Sequence, residues 1–230
     1  MNNHPQSLML RAYASGDIDE ATALIVATHL ESCAECRAQV KAFEQEFAQA
    51  AFDTDACLAS LNTDDEQNTL CWQDMFDEIV DQPVAAQSAP VKSHFDIDVN
   101  GQTFSLPPAL QSIRPYIGKW RNFGGKVMSA KIDLGGEHSP MNLLYIAPGV
   151  TIPRHTHQGI ESTLILHGGF SDEDGHYHQG DMMVRDASIE HSPKTSELED
   201  CLCLTVLTER MVFTQGIARV FNWLGNRVFP

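Results

Sequence analysis

Two groups of residues in this chain have the types and the spacing of metal ligands, and the first lies near the N-terminus. His29, Cys33 and Cys36 form the pattern H-x3-C-x2-C. Two thiolates and an imidazole favour Zn²⁺, which takes four ligands in a structural site. His4 is the only other histidine before residue 94, so it is the candidate for the fourth ligand. If the segment is helical, His29 and Cys33 lie four residues apart on one face.

The second group lies past the middle of the chain, where Gly149 to Gly168 read G-x5-H-x-H-x3-E-x6-G. A strand would place His155 and His157 on the same face, but parity alone does not position the more distant residues. Three imidazoles and a carboxylate suit Zn, Fe, Mn, Ni or Cu, so the sequence leaves this metal open. The candidate ligands are His155, His157, Glu161 and His191.

The first eighty or so residues have the apolar periodicity of helices. A small all-α region is therefore predicted at the N-terminus, and it would carry the first group of ligands. We expect four helices, over residues 5–16, 18–30, 36–47 and 72–80.

After the helical region, residues 82–93 contain two prolines among small residues, which is typical of a linker. The pattern then becomes strand-like, and Asn100-Gly101 predicts a tight hairpin turn. Glycine and proline punctuate the segments that follow, as in a small β-barrel or sandwich. An amphipathic helix is predicted in the last twenty residues. The longer predicted strands cover residues 127–134, 141–147, 161–166, 182–185 and 201–207.

The formal net charge of −16 argues against direct binding of nucleic acid, which needs a clustered basic surface. It suits a basic protein partner, since complementary potentials steer association. The chain has no secretory signal pattern and no apolar run that could span a bilayer, so we predict a cytoplasmic protein without membrane contact. In a reducing compartment the six cysteines are expected to be metal ligands, redox thiols or buried apolar residues rather than disulfides.

Cys201 and Cys203 are two residues apart on a predicted strand, so their side chains face the same way. One interpretation is that they are buried as small apolar side chains. The other is that they point into a barrel cavity and respond to oxidants. A disulfide directly between them would be strained. No residue is predicted to be catalytic or to bind an organic cofactor.

The pattern from Gly149 to Gly168 resembles the first motif of the cupin superfamily, whose members are small β-barrels with a metal at the centre. The second cupin motif, G-x5-P-x-G-x2-H-x3-N, is kept only in part. Gly180 and His191 hold its spacing. Where Pro, Gly and Asn are usual, this chain has Asp186, Ser188 and Thr195.

The order of an H-x3-C-x2-C helical region, a linker and a cupin motif resembles the ChrR family of zinc-dependent bacterial anti-sigma factors over nearly the whole chain. The resemblance implies an α+β multidomain protein, with a four-helix zinc-binding domain at residues 1–83, a linker at 84–94 and a cupin β-barrel domain with a C-terminal helix at 95–230. It implies one Zn²⁺ in each domain. The ligands would be His4, His29, Cys33 and Cys36 in the first, and His155, His157, Glu161 and His191 in the second.

In that family the N-terminal domain binds an extracytoplasmic-function-type sigma factor and covers the surfaces that it uses for core RNA polymerase. The cupin-like domain is needed for the response to singlet oxygen and related oxidants. The resemblance thus implies an anti-sigma factor and not an enzyme. The alternative is a metal-dependent cupin enzyme, such as a dioxygenase, with a regulatory helical domain. A cupin that binds a small ligand without chemistry is a third class.

Overall fold

The computed structural model describes residues 3–52, 76–81, 94–135, 140–209 and 211–214. These belong to two compact units, one of residues 1–43 with 93–230 and the other of residues 44–92. No helix within the described ranges is long and apolar enough to cross a membrane. Most of the predicted linker lies outside the described residues, so the predicted domain limits stay a prediction.

Three helices follow one another at the N-terminus: α1 (Ser7–Ser15), α2 (Glu20–Ser32) and α3 (Ala34–Phe52). Helix α1 ends at Ser15 and is capped by Gly16, whose φ of 74° is the left-handed conformation that glycine adopts without steric cost. Helix α2 begins after Asp19, whose carboxylate accepts a hydrogen bond from the backbone N–H of Thr22. Residues 76–80 are also helical. The predicted count of four helices stays a prediction, because residues 53–75 are not described.

The described chain then forms a β domain in which every strand pairing is antiparallel. Its main sheet has the order β3-β4-β5-β10-β7-β8, and β9 pairs with β7. Strands β1 and β2 form a hairpin, β6 pairs with β11, and a 3-10 helix covers Pro108–Tyr116. The strands are β1 (Phe95–Val99), β2 (Gln102–Leu106), β3 (Arg121–Phe123), β4 (Val127–Ile132), β5 (Met141–Ile146), β6 (His155–His157), β7 (Glu161–Ser171), β8 (His176–His178), β9 (Met182–Arg185), β10 (Cys201–Leu207) and β11 (Met211–Phe213).

Local sequence signals located several of these elements well. Strands β9 and β10 have the predicted bounds. The β1–β2 hairpin turns at Asn100 and Gly101, both with positive φ, as a type I′ turn requires. The prediction of a C-terminal helix was wrong for Val212 and Phe213, which lie in β11 and pair with β6. The rest of that predicted helix, from residue 215 onward, lies outside the described residues.

Helix α2 and the β domain share one hydrophobic cluster. The α2 side chains of Ala21, Ile25 and Val26 are fully buried, and they belong to the same cluster as Leu106 and Leu204 of the β domain. The helix contacts the 3-10 helix, β10 and β7. A helix that buries apolar residues on several sides needs more than one neighbour to cover it. This packing holds α2 against the β domain.

Gly168 is the last residue of the first cupin pattern, and its backbone conformation and close packing predict that substitution lowers stability. Its φ is +64°, and an added Cβ would lie 1.9 Å from the backbone oxygen of Asp200. We expect Gly168→Ala to lower the free energy of unfolding by about 2–4 kcal/mol, because the backbone must move to relieve the overlap. The measurement is urea unfolding of the full chain.

Gly175 provides the matched control, since no atom lies within 4 Å of its added Cβ. We expect Gly175→Ala to leave stability unchanged or to raise it by about 0.5 kcal/mol through the unfolded state. Equal losses in the two variants would contradict the steric argument.

Candidate metal centres

The four predicted N-terminal ligands come together in the structure. One potential ligand atom from each of His4, His29, Cys33 and Cys36 lies within 4.8 Å of the other three. Nδ1 of His4 is 3.3 Å from Sγ of Cys33 and 3.4 Å from Sγ of Cys36, and Nε2 of His29 is 3.4 Å from Sγ of Cys36. A tetrahedral Zn²⁺ with standard bond lengths separates its nitrogen and sulfur ligands by about 3.5 Å. The donor set and its dimensions therefore fit such an ion.

Each ligand of this N-terminal cluster comes from a different structural position. His4 precedes α1, His29 lies in the last turn of α2, and Cys36 lies in the first turn of α3. Cys33 was expected on the same helix face as His29, but α2 ends at Ser32 and Cys33 is extended. The break turns the Cys33 sulfur toward the start of α3, where it accepts a hydrogen bond from the backbone N–H of Cys36. The cluster thus joins the chain start to the α2–α3 junction.

The two histidines of the N-terminal cluster also have partners on their other ring nitrogens. Nδ1 of His29 lies 2.9 Å from the backbone oxygen of Gly180, so it carries the proton and leaves the Nε2 lone pair facing Cys36. Nε2 of His4 lies 3.8 Å from a carboxylate oxygen of Glu35. Sequence reasoning missed Gly180 and Glu35 as partners. Nothing in local spacing could indicate Gly180, which is 151 residues from His29.

Burial gives this cluster the electrostatics of a site for a cation. Burial, together with the neighbouring Cys33, raises the pKa of the Cys36 thiol to about 12. Burial likewise lowers the pKa of His29, although its bond to Gly180 acts in the opposite direction. Without a cation the Cys36 thiol keeps its proton and His29 is neutral. A bound divalent cation would displace the thiol proton, as thiolate ligation requires.

The second predicted set is assembled by strand pairing. His155 and His157 are both in β6, and Glu161 is the first residue of β7. His191 joins them because its backbone N–H donates to the oxygen of His155 at 3.0 Å and its oxygen accepts from the N–H of His155 at 3.1 Å. The sequence could not locate this bridge, since 36 residues separate the two histidines.

The four side chains of this β-domain cluster are buried. The three imidazoles each have a ligand atom within 4.8 Å of the others, and Oε2 of Glu161 is 2.9 Å from Nε2 of His157 and 3.8 Å from Nε2 of His191. Nδ1 of His157 has no hydrogen-bond partner among the described residues, and Nε2 of His157 and Nε2 of His191 lie near the Glu161 carboxylate without hydrogen-bond geometry. Buried nitrogens are rarely left in that state unless they serve another role, and metal ligation is such a role.

The charges in the β-domain cluster also favour a cation. Burial acts to raise the pKa of Glu161, but the close approach of His157 and the charges of His191 and His155 lower it to about 2. Burial, together with the nearby His191, lowers the pKa of His155 to about 4. At neutral pH Glu161 is ionised and His155 is neutral. A buried, ionised carboxylate is costly unless a cation balances it.

A second group of residues orients the β-domain histidines. Nδ1 of His155 lies 2.9 Å from the backbone oxygen of Pro153, and Nδ1 of His191 lies 3.2 Å from Oδ2 of Asp172. That carboxylate is completely buried and also accepts from the guanidinium of Arg185, which in turn donates to the hydroxyl of Tyr177. Although burial acts to raise it, the bonds from His191 and Arg185 hold the pKa of Asp172 below its usual value. Partners of this kind orient metal-binding imidazoles.

Sequence reasoning missed Asp172 because it lies in the acidic run S-D-E-D-G, which has the composition of a surface turn. The run does connect β7 to β8, and Glu173 and Asp174 are exposed as such a turn predicts. Only the tertiary structure distinguishes the first acidic residue from the other two.

Where this chain lacks the usual Pro, Gly and Asn of the second cupin motif, local hydrogen bonds hold the segment instead. Oδ1 of Asp186 accepts hydrogen bonds from the backbone N–H of Ser188 at 2.9 Å and from its hydroxyl, which closes the turn where Pro and Gly are usual. The hydroxyl of Thr195 donates to the oxygen of Ala147 and accepts from the N–H of Val150. The segment around His191 is therefore held without the usual turn residues.

The two cysteines of β10 are buried, and one of them lines a cavity next to the β-domain cluster. Cys201 and Cys203 are fully buried in the smaller hydrophobic cluster, and Cys203 lines a cavity of about 40 Å³ together with His155, Glu161 and His191. The side chain of Cys201 and burial both raise the pKa of the Cys203 thiol well above its usual value. Cys203 is therefore a thiol and not a thiolate at neutral pH.

Asp172 provides a test of the β-domain cluster as a metal centre. We expect Asp172→Asn to weaken binding of Mn²⁺ by about tenfold to a hundredfold, because His191 loses the anionic partner that orients it. Mn²⁺ is the probe because oxygen and nitrogen ligands suit it better than the thiolates of the other cluster. Free Mn²⁺ is measured by electron paramagnetic resonance during titration of the full chain.

The matched control for this test is Asp174→Asn, which removes the same charge from an exposed position in the same turn. It should bind Mn²⁺ as the unmodified chain does. If the two variants bind equally well, Asp172 does not support this centre.

A family model described as the ChrR Cupin-like domain matches residues 118–210. The anti-sigma-E factor ChrR of Cereibacter sphaeroides is 30% identical over 233 residues, which cover 96% of each protein. A chain in the crystal structure of Rhodobacter sphaeroides SigE in complex with the anti-sigma ChrR matches with a TM-score of 0.63 and 29% identity, over 90% of this chain and 98% of that one.

These matches confirm the resemblance that the two ligand patterns indicated. They extend over the helical N-terminal region and the cupin-like β domain alike. The family consists of regulatory proteins rather than enzymes. The chain belongs to the ChrR family of anti-sigma factors.

Proposed function

We propose that this chain is an anti-sigma factor that sequesters an extracytoplasmic-function-type sigma factor and releases it in response to singlet oxygen or related oxidants. The observation that carries the proposal is the match, over 90% of the chain, to a ChrR chain solved in complex with SigE. In this proposal the protein acts in the cytoplasm, and its domains are residues 1–83 and 95–230, joined by a linker at 84–94. The first domain binds the partner and the second senses the oxidant.

One Zn²⁺ in each domain is part of the proposal. In the first, Zn²⁺ bound by His4, His29, Cys33 and Cys36 would supply a four-coordinate cross-link that contributes directly to folding. His4 holds the chain start, and the two cysteines hold the α2–α3 junction. A cross-link there would hold the helices in the arrangement that the sigma factor recognises. The second Zn²⁺ would be bound by His155, His157, Glu161 and His191.

The unit of residues 44–92 offers apolar surface for a partner. Phe52, Phe76, Ile79 and Val80 are each more than 60% exposed. Exposed apolar groups of this kind mark interaction sites in proteins. The net charge of −16 adds an attraction for a basic partner, which raises the rate of association. These features support a sigma factor as the partner and give no support to direct binding of nucleic acid.

The size of the β-domain cavity supports sensing over catalysis. Its volume of about 40 Å³ is enough for a few atoms, whereas pockets for organic substrates measure roughly 300–1,000 Å³. The runner-up hypothesis, a cupin dioxygenase with a regulatory helical domain, needs the larger kind. A small neutral oxidant fits the cavity better than an organic substrate does.

Cys201 and Cys203 are the proposed redox residues. A hydroperoxide can transfer one oxygen atom to a cysteine sulfur, so that the O–O bond breaks, an S–O bond forms, and the products are a sulfenic acid and an alcohol. Strand β10 is buried along its whole length between β5 and β7. An added polar oxygen would destabilise this strand by about 1–3 kcal/mol. The high pKa of Cys203 makes the reaction slow and selects for strong oxidants.

The division of roles is tested with two variants of the full chain. We expect Cys36→Ser to abolish co-purification of the cognate sigma factor and to restore transcription in vitro, because the N-terminal cluster loses a thiolate. His157→Ala should still bind and inhibit the sigma factor but should no longer release it on exposure to singlet oxygen. A zinc chelator should reproduce the effect of Cys36→Ser.

The outcome that contradicts this division is full inhibition by Cys36→Ser. Loss of inhibition in His157→Ala would instead assign partner binding to both domains. Circular dichroism of each variant distinguishes a lost contact from a lost fold.

The redox hypothesis predicts that a chain with Cys201→Ala and Cys203→Ala binds the sigma factor normally and retains it when a hydroperoxide is added. In the unmodified chain, mass spectrometry should find one added oxygen atom on a peptide that contains these cysteines, in proportion to the sigma factor released. Release by the double variant at the normal rate would rule out this role for the pair.

A further inference from the structure

The turn between β8 and β9 of the β domain contacts the N-terminal cluster at two points. The backbone oxygen of Gly180 accepts from Nδ1 of His29. One residue on, Asp181 faces Asn3, the neighbour of His4: the backbone N–H and the side-chain amide of Asn3 each lie 3.4 Å from a carboxylate oxygen of Asp181. Two of the four N-terminal ligands are thus tied, directly or through the adjacent residue, to the same turn.

This turn is built rigidly into the β domain. Oδ2 of Asp181 accepts from the backbone N–H of His178 at 3.0 Å, and Gly180 has a φ of 91°, which favours glycine. The N–H of Gly180 donates to the oxygen of Ile165 in β7, and the N–H of Ile165 donates to the oxygen of Asp181. The first residue of β9, Met182, donates its N–H to the oxygen of Asn3. The position of His29 therefore depends on strands β7 and β9.

The other end of β9 reaches the second cluster. Arg185, its last residue, donates to Asp172, and Asp172 bonds to Nδ1 of His191. Arg185 also donates to Tyr177 in β8, directly before the turn. A four-residue strand is thus bonded at its start to the surroundings of one candidate metal centre and at its end to those of the other.

We propose that the β8–β9 turn, residues 178–181, is an outer support of the N-terminal metal centre, and that β9 couples the affinities of the two centres for their metals. Gly180 and Asp181 are positioning residues, since they act through His29 and His4. The inference rests on the proposed function only in requiring metal at both clusters. It adds a route by which a change in the β domain weakens the zinc cross-link of the partner-binding region.

Co²⁺ tests the first half of this proposal in the full chain. Thiolate ligation gives Co²⁺ a sulfur-to-metal charge-transfer band, which the imidazoles and carboxylate of the other cluster do not produce. We expect Asp181→Ala to weaken Co²⁺ binding at the thiolate centre by about tenfold to a hundredfold, as loss of outer-sphere partners does elsewhere. Asp98→Ala is the control, because Asp98 is an exposed carboxylate of the β1–β2 hairpin that bonds only to Thr103 among the contacts described.

The tautomer of His29 is a second measurement that a merely structural role of Asp181 would not change. In the zinc-loaded chain, long-range proton–nitrogen spectra should place the ring proton on Nδ1 of His29, with slow exchange into solvent. In Asp181→Ala that proton should exchange faster. If Asp181→Ala does not fold, Asp181→Asn carries the same test, with a smaller loss of affinity expected because one carboxylate-like oxygen remains.

The coupling itself is tested with Asp172→Asn, which removes the charge between His191 and Arg185 and leaves the described contacts of the N-terminal cluster in place. We expect the thiolate centre of this variant to bind Co²⁺ at least fivefold more weakly, within the usual range of coupling between sites. Asp174→Asn should bind as the unmodified chain does. Unchanged Co²⁺ affinity in Asp172→Asn overturns the coupling, and unchanged affinity in Asp181→Ala overturns the support by the turn. Neither result depends on a sigma factor, so failure of the proposed function would be recognised separately.

Discussion

The structure depends on one requirement, which is that the polar side chains buried in its two ligand clusters must be paired. Imidazole, thiol and carboxylate groups lose their hydration when they are buried, and the free-energy cost is recovered only if they are paired. In the β-domain cluster, Nδ1 of His157 has no hydrogen-bond partner among the described residues, and Nε2 of His157 and Nε2 of His191 have only the nearby carboxylate of Glu161. In the N-terminal cluster, two sulfurs and two imidazoles face one another. A cation in each centre is the simplest way to recover the cost.

The same constraint explains the residues around the clusters. A ring nitrogen can face a cation with its lone pair only if the proton is held on the other nitrogen. For His29 the proton is held by a backbone oxygen of Gly180, and for His155 by that of Pro153. For His191 it is held by the buried carboxylate of Asp172. These acceptors come from strands and turns of the β domain, so the fold of that domain determines ligand geometry at both centres.

A shared hydrophobic core joins helix α2 to the β domain. Helix α2 buries Ile25 and Val26 in the same cluster as β-domain residues. A change in the packing of the β domain would therefore also change the packing of the helix that carries His29. Strand β10 lies in the middle of the main sheet and carries Cys201 and Cys203, which are both buried. A chemical change on this strand would act on a region that also packs against α2. The proposed function needs such a connection, because a response in the β domain must reach the surface that binds the partner.

Features that depend on residues close together in the sequence could be predicted, whereas features that join distant residues could not. The residue types of both clusters, the bounds of β9 and β10 and the turn at Asn100-Gly101 follow from short-range spacing and alternation. The family also followed, because its two ligand patterns are local. The break at Cys33 did not, since a helix end depends on what the next residues contact.

The remaining features were decided only by the tertiary structure. The bridge that brings His191 to His155, the burial of Asp172 beside its exposed neighbours and the bond from His29 to Gly180 all join residues that are far apart in the chain. Spacing, composition and alternation describe what a segment favours by itself. The packing of the whole chain determines which distant segment covers it. The same packing determines which of its polar groups lose contact with water.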